Sequence, residues 1–361
     1  MPLRLSVRAQ SQSQADWWDL RLEYVYQPRG YGKMQDNIYD YIAKAALAQY
    51  DIAEGERYFL GHSESVTFCI KTQAEKFLLR IHQLISKLQG DVWQRPEVIE
   101  SELLWLTALR HDTEVVVQEP VKNLQDRWLT QVLVDETREV FYCSLLHWID
   151  GNNLNGQRTP EQAYQLGLLL ARLHQHSSQW QLPENFVRPA YDKNRLQAGL
   201  LALYPAVLQE LISAEDYKTL EVAAYQVQEM IETLGQKQNV WGLIHADLHE
   251  GNYLLHNEEF RPIDFARCGF GYYLYDIASS LQYLLPTVRP SFFEGYQAIR
   301  KLPEHYLQIT EGFFIMALIE VLSFHVNNPQ EHKWISETVP YIIKEHVHPY
   351  LEGKSFLFTK Y

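Results

Sequence analysis

The spacing of apolar residues changes near residue 150. Before it, apolar and polar positions alternate in short runs, as in Val66, Phe68 and Ile70 against Thr67, Cys69 and Lys71. Two-residue spacing of this kind predicts strands over Arg57–Gly61, Ser65–Thr72 and Lys76–His82, with Thr72-Gln-Ala-Glu75 as a hairpin turn. A helix follows from Pro96, a residue suited to a first turn, to Arg110. Strand character returns at Glu114–Val121, Trp128–Val134 and Glu139–His147, and an earlier helix is predicted over Asn37–Tyr50. After Asp150-Gly151 the spacing becomes helical at Pro160–His176, Asp192–Leu211, Ala214–Leu234, Tyr273–Leu285, Pro303–His325 and Glu331–Leu351. Only Trp241 to Phe265 keeps a strand-and-loop texture. The pattern predicts an α+β chain of two lobes: a small, mostly antiparallel sheet with one helix, and a larger helical lobe. A cleft between two such lobes is a favoured place for a ligand.

The division falls at residues 1–36, 37–146 and 147–361. The first part, with its polar Gln10-Ser-Gln-Ser-Gln14 run, reads as an extension. Charge narrows the partners. Lys plus Arg number 32 against 45 Asp plus Glu, a net charge of −13, which disfavours nucleic acid and anionic membrane and suits small ligands, cationic ones most easily. Cys69, Cys143 and Cys268 are scattered, so neither a disulfide framework nor a structural zinc site is indicated, and a reducing cytoplasm is the expected compartment. The opening MPLRLSVRAQ lacks the apolar core of a signal peptide. The most apolar stretch, Phe313 to Phe324, is interrupted by Glu320 and reads as a buried helix rather than a membrane span.

The densest chemistry lies in Ile244-His-Ala-Asp-Leu-His-Glu-Gly-Asn252, followed twelve residues later by Asp264 in Arg261-Pro-Ile-Asp-Phe265. Asp247 in a loop could take the proton of a hydroxyl. Asn252 and Asp264 offer an amide oxygen and a carboxylate, hard donors that suit Mg²⁺. Taken singly, the three would be a turn Asp, a turn Asn and a capping Asp. A different chemistry is open to His245, Asp247 and His249, which on a strand would share one face and could hold Zn²⁺ or Fe²⁺ in a metallohydrolase. Gly251-Asn252 speaks for a loop instead.

Helix phase singles out one further residue. On a wheel of Val98–Arg110, Glu102 falls at the centre of the arc formed by Val98, Ile99, Leu106 and Leu109, and Glu100 lies opposite. A carboxylate in an apolar stripe needs a cationic partner.

The Ile244–Asn252 segment with Asp264 resembles the catalytic segment of the aminoglycoside phosphotransferase-like kinases, a group that takes in choline kinases and bacterial stress-response kinases. The resemblance implies a two-lobe protein kinase-like fold, with a nucleotide-binding lobe over 37–146 and a catalytic and substrate-binding lobe over 147–361. It implies ATP and Mg²⁺, and transfer of the γ-phosphate to a hydroxyl of a small, amine-bearing molecule. Glu311, Glu320, Glu331 and Glu337 are available to hold the amine. By the same resemblance Asp247 is the base, Asn252 and Asp264 hold the metal, and His245 and Asp276 support the loop. Arg80, in Phe77-Leu-Leu-Arg-Ile-His82, grips the phosphates and is the expected partner of Glu102. The Gly61-His-Ser-Glu-Ser65 turn covers them with its backbone and with Ser63 and Ser65. The adenine meets the backbone at His147 and Ile149, with Leu146 behind it. A protein Ser/Thr kinase of the same fold is an alternative, although no D-F-G or A-P-E segment is present. A nucleotide-binding protein without transfer is another.

Overall fold

In the computed structural model the described residues are 35–52, 54–62, 65–83, 91–135, 138–154 and 156–358. The extension expected over residues 1–36 lies outside them except for its last two residues, which open helix α1 (Gln35–Leu47). Strands β1 (Glu56–His62), β2 (Val66–Lys71) and β3 (Lys76–His82) form an antiparallel meander. Helix α2 (Pro96–Asp112) follows, then β4 (Pro120–Val121), β5 (Leu129–Val134) and β6 (Glu139–His147). β6 pairs with β3 along one side and with β5 and β4 along the other. Seven of the expected elements therefore appear in order, with one correction. Glu114–Val121 is not a strand: its alternation is real, since Val115 and Val117 are buried, but ladder pairing begins only at Pro120.

The large lobe holds helices α3 (Pro160–Gln179), α4 (Lys193–Leu208), α5 (Ala214–Leu234), α6 (Tyr273–Leu281), α7 (Arg289–Gln297), α8 (Tyr306–His325), α9 (His332–Ile342) and α10 (His348–Leu351). Between α5 and α6 run β8 (Trp241–Ile244), the hairpin of β9 (Tyr253–His256) and β10 (Glu259–Pro262), and β11 (Gly269–Tyr272). β11 pairs antiparallel with β8 and parallel with the short β7 (Ala190–Tyr191). α3 starts with a capping box: Thr159 accepts from the Gln162 N–H and Gln162 answers at the Thr159 N–H.

α7 escapes periodicity because it is short and carries Gly295 in its middle. That glycine is a packing requirement. A Cβ on Gly295 would stand 2.0 Å from the Tyr164 carbonyl oxygen, and one on Gly167 would stand 2.0 Å from that of Phe292, so α3 and α7 cross backbone to backbone. The single helix expected over Glu331–Leu351 is instead α9, a π-turn over Ile343–Val347 and α10. α8 is long and apolar enough by composition to cross a bilayer, yet two thirds of that stretch is buried and it packs on α4, α5 and α6.

Two apolar cores result. One joins α1 to the sheet through Ile42, Ala46, Val66, Leu79, Ile81 and Leu145. The other fills the large lobe, and the apolar side of α2 (Ile99, Leu103, Trp105, Leu106, Leu109) belongs to it.

Candidate active site

β8 delivers the chain into a loop whose first residues are pinned by one buried carboxylate. Asp276, fully buried near the start of α6, accepts the N–H of His245 at 2.9 Å and that of Ala246 at 2.7 Å. It also accepts His174 Nε2–H at 2.9 Å, while His174 Nδ1 receives the Tyr296 hydroxyl at 2.9 Å. Desolvation holds the His174 pKa below its ordinary value, so the ring is neutral and this tautomer follows. Ala246 takes a left-handed φ of 66°, a conformation unfavourable for a residue with a Cβ, and the Asp276 carboxylate holds it there.

The far end of the loop is tied as firmly. Asn252 Nδ2 donates to the Asp247 carbonyl at 2.8 Å and to its Oδ2 at 2.9 Å. The Asn252 carbonyl accepts the Ile263 N–H at 2.9 Å, and His245 Nε2 donates to the Ile263 carbonyl at 3.0 Å. Ile263 is thus gripped on both sides of its peptide, and the next residue, Asp264, projects exposed with a left-handed φ of 57°.

The two carboxylates feel each other. Crowding by protein pushes the Asp247 carboxyl up to about 7, the charge of Asp264 adds to the rise, and Arg267 opposes it. Yet 38% of the Asp247 side-chain surface remains open to the cleft. Water there, or a cation between the carboxylates, draws the group back toward the ordinary carboxylate range. Two carboxylates that feel each other's charge, one of them hydrogen-bonded to an amide side chain, are hard donors of the kind that would suit a divalent cation.

The His245, Asp247, His249 metal reading is overturned. His245 is fully buried with both ring nitrogens engaged, Nε2 by the Ile263 carbonyl and Nδ1 by the Asp247 N–H at 3.3 Å. His249 Nδ1 accepts the Gly251 N–H at 3.0 Å, and its ring stacks on Tyr283. Among the described residues no group of three or more His, Cys, Asp and Glu could hold a metal.

In the sheet lobe Arg80 and Glu102 form the expected pair. Arg80 Nη1 donates to Glu102 Oε1 at 2.5 Å, and both side chains are buried, with 7% and 2% of their surface exposed. Glu100 is exposed on the other face of α2, as the wheel requires. At the β1–β2 turn, Ser65 is buried and Ser63 and Glu64 lie outside the described residues. A Cβ on Gly61 would meet nothing within 4 Å, so the protein itself leaves open space over that backbone. At the lobe connection the His147 N–H is engaged by the Glu119 carbonyl at 2.8 Å and the Trp148 N–H by that of Lys76 at 3.1 Å. Leu146 is fully buried behind them.

A model of the phosphotransferase enzyme family matches residues 57–308. The chain belongs to this family. An uncharacterized protein of Synechocystis is 26% identical over 262 residues, covering 70% of this chain and 68% of that one. The amicoumacin kinase of Bacillus subtilis is 21% identical over 284 residues, 74% and 79% of the two chains. Among solved structures, a microcompartment-associated aminopropanol kinase superposes with a TM-score of 0.75 at 24% identity, covering 89% of this chain and all of the other. An amicoumacin kinase in complex with AMP-PNP, Ca²⁺ and its antibiotic gives 0.68 at 17% identity, covering 88% and 94%. These likenesses place this phosphotransferase in the two-lobe α+β kinase-like fold.

Several residues around the phosphotransferase site carried no sequence signal. Trp93, just before α2, lies 5.1 to 5.6 Å from the guanidinium carbons of Arg188, Arg195 and Arg267. Arg195 makes a forked pair with Glu320, the one charge inside the apolar stretch of α8. Tyr191, whose hydroxyl donates to the Arg267 carbonyl at 2.8 Å, and Phe324, 4.7 Å under the Arg267 guanidinium, complete an aromatic wall. Glu320 stands out in the sequence as the charge interrupting an apolar stretch; its partner 125 positions away carries no such signal.

The expectation that Glu311, Glu320, Glu331 and Glu337 stand ready for a ligand amine is corrected. Glu311 is buried and accepts from Ser355 and from the Phe356 N–H, Glu320 holds Arg195, Glu331 holds His325, and Glu337 lies 3.8 Å from Lys333.

Proposed function

We propose that this chain transfers the γ-phosphate of ATP to a hydroxyl of a small molecule, with residues 37–146 supplying the nucleotide site and 147–361 the catalytic and acceptor site. The observation that carries this reading is the double anchoring of the 245–252 loop, which fixes Asp247 and Asn252 against each other, with the charge of Asp264 near enough to raise the Asp247 carboxyl. Phosphoryl transfer demands position and charge neutralisation more than covalent help, and such a loop provides position.

Asp247 Oδ2 receives the Asn252 amide, so Oδ1 is free to take the acceptor's proton. As the acceptor oxygen bonds to the γ-phosphorus, the bond to the β-bridging oxygen breaks and ADP leaves. Asn252 Oδ1 and Asp264 would hold Mg²⁺, which when bound offsets the triphosphate charge. Arg80, held by Glu102, would fork onto the phosphates, a geometry a lysine cannot give. The Gly61 turn, with Ser63 and Ser65, would cover them, and the open space at Gly61 supports a close backbone approach. The His147 carbonyl and the Ile149 backbone would meet the adenine. The acceptor would lie on the side of Trp93, Tyr191 and Phe324. An amine on that acceptor is supported by the net charge and by the names of the aminopropanol and ethanolamine kinases of similar fold. Its ammonium would have to be met by groups other than the four glutamates. The three cysteines are free, in keeping with a cytoplasmic setting.

The test is ATP turnover against a panel of amino alcohols, amino sugars and peptides. Asp247→Asn should lower kcat by about 10²–10⁴-fold with ATP·Mg²⁺ affinity kept within a few-fold. Asp264→Asn should damage both. Phosphorylation of a peptide in preference to every small alcohol would favour a protein kinase, and ATP binding with no acceptor turned over would favour a non-catalytic nucleotide binder.

A further inference from the structure

A segment between α3 and α4 ties α2 to the residues that follow Asp264. Arg188 is buried, and its hydrogen-bond acceptors are main-chain carbonyls from two separate elements. Nη1 donates to Val98 in the first turn of α2 at 2.9 Å, Nε to Cys268 at 2.6 Å and Nη2 to Ala266 at 2.5 Å. One residue earlier, the Val187 N–H donates at 2.8 Å to the Ser101 hydroxyl, adjacent to Glu102. One residue later, the Pro189 carbonyl accepts the Phe270 N–H at 2.9 Å. A Cβ on Gly269 would stand 2.5 Å from that same carbonyl oxygen, so the approach depends on glycine. β7 then pairs with β11, and Tyr191 closes on the Arg267 carbonyl.

We propose that residues 186–191 are a strap that makes α2 a fixed part of the large lobe, with Arg188 a positioning residue that sets Glu102 and Asp264 together. Packing agrees independently. The apolar side of α2 lies in the large-lobe core, Trp105 meets Phe265 edge to face at 5.4 Å, and Trp105 Nε1 donates to His176 Nδ1 at 3.3 Å. The sheet and α1 have a core of their own. The Arg80–Glu102 pair therefore joins β3, which shares a core with α1, to α2, which is anchored in the large-lobe core along with Leu129 of β5 and Leu146 of β6. A ligand that pulls on Arg80 acts on this bridge, and α2 does not swing as a separate switch. The planar fork of arginine is what lets one side chain reach carbonyls on both elements; a lysine would satisfy fewer.

The experiment is hydrogen–deuterium exchange on the full chain, paired with steady-state kinetics. In the wild type the amides of Ile99–Leu109 should exchange as slowly as those of α6. Arg188→Met should speed exchange at 98–102 and at 265–271 together by about tenfold or more, with β2 and β3 unchanged. The KM for ATP·Mg²⁺ should rise about tenfold, and Arg188→Lys should fall between. Ser101→Ala is the milder variant should Arg188→Met fail to fold, and it should loosen 98–102 and 186–188 alone. The proposal is overturned if wild-type α2 exchanges with the sheet, if only one of the two segments responds to Arg188→Met, or if exchange rises uniformly without a change in KM. The exchange results stand whether or not the chain turns over ATP, so failure here is distinct from failure of the kinase reading.

Discussion

Asp276→Asn changes one oxygen to an amide nitrogen at the most enclosed hinge of the catalytic loop. Oδ1 accepts the Ala246 N–H, and Oδ2 accepts both the His245 N–H and His174 Nε2–H. If the new amide replaces Oδ1, the Ala246 N–H faces a donor. If it replaces Oδ2, His174 can change tautomer and place its Nδ1–H against the Tyr296 oxygen, but the His245 N–H is orphaned. Either way one charge-assisted bond goes and one backbone donor is buried without an acceptor. The combined cost is about 3 kcal/mol, within a range of roughly 2–4. For a chain of this size that lowers Tm by roughly 3–5 °C. The left-handed turn at Ala246 loses its anchor, so Asp247 and Asn252 drift. A misplacement of about 1 Å costs on the order of 10²-fold in rate. Thermal unfolding followed by circular dichroism, with kcat on the best acceptor from the panel, measures both. A Tm within about a degree of wild type together with turnover within about threefold would refute the view that this carboxylate sets the loop.

Other perturbations separate neighbouring roles. Glu102→Gln should raise the KM for ATP·Mg²⁺ by about tenfold or more, because it unbalances a buried pair, while Glu100→Gln on the exposed face should leave it unchanged. Gly61→Ala should leave Tm alone and weaken nucleotide binding, measured by titration with AMP-PNP, since its Cβ would occupy only open space. Gly167→Ala should do the reverse, lowering Tm sharply by forcing α3 off α7. His346 has its pKa pushed down to about 3 from an ordinary 6.5, by desolvation first and by the charge of Arg289 second. The unfolded chain therefore binds the extra proton first, so the stabilisation is whole above pH 6.5 and is lost as pH falls toward 3, at about 1.4 kcal/mol per pH unit. His346→Phe should flatten that slope in denaturant titrations between pH 6 and 4; an unchanged slope would place the titration elsewhere.

Periodicity by itself determined the lobes, most of their elements and the order of the sheet lobe, because local spacing decides which face of a strand or helix is apolar. It also determined Glu102, since an acidic residue centred in an apolar stripe has to find a cation and Arg80 stood in a neighbouring buried strand. The 244–264 motif was legible because its residues lie close in sequence, and the loop that joins them is short. Contacts between distant segments were decided only in the folded chain. Arg188 sits in an aperiodic stretch, and nothing near it announces carbonyls 80 and 90 positions away. Glu114–Val121 kept its alternation but found a neighbouring strand only at Pro120, because strand pairing depends on what lies alongside. α7 hid behind a glycine that helix propensity disfavours and helix crossing demands. Glu311, Glu320 and Glu331, available to an amine in one dimension, are claimed in three by the chain near Phe356, Arg195 and His325, since a buried or crowded carboxylate takes the nearest donor the fold brings to it, while Glu337 stays exposed beside Lys333.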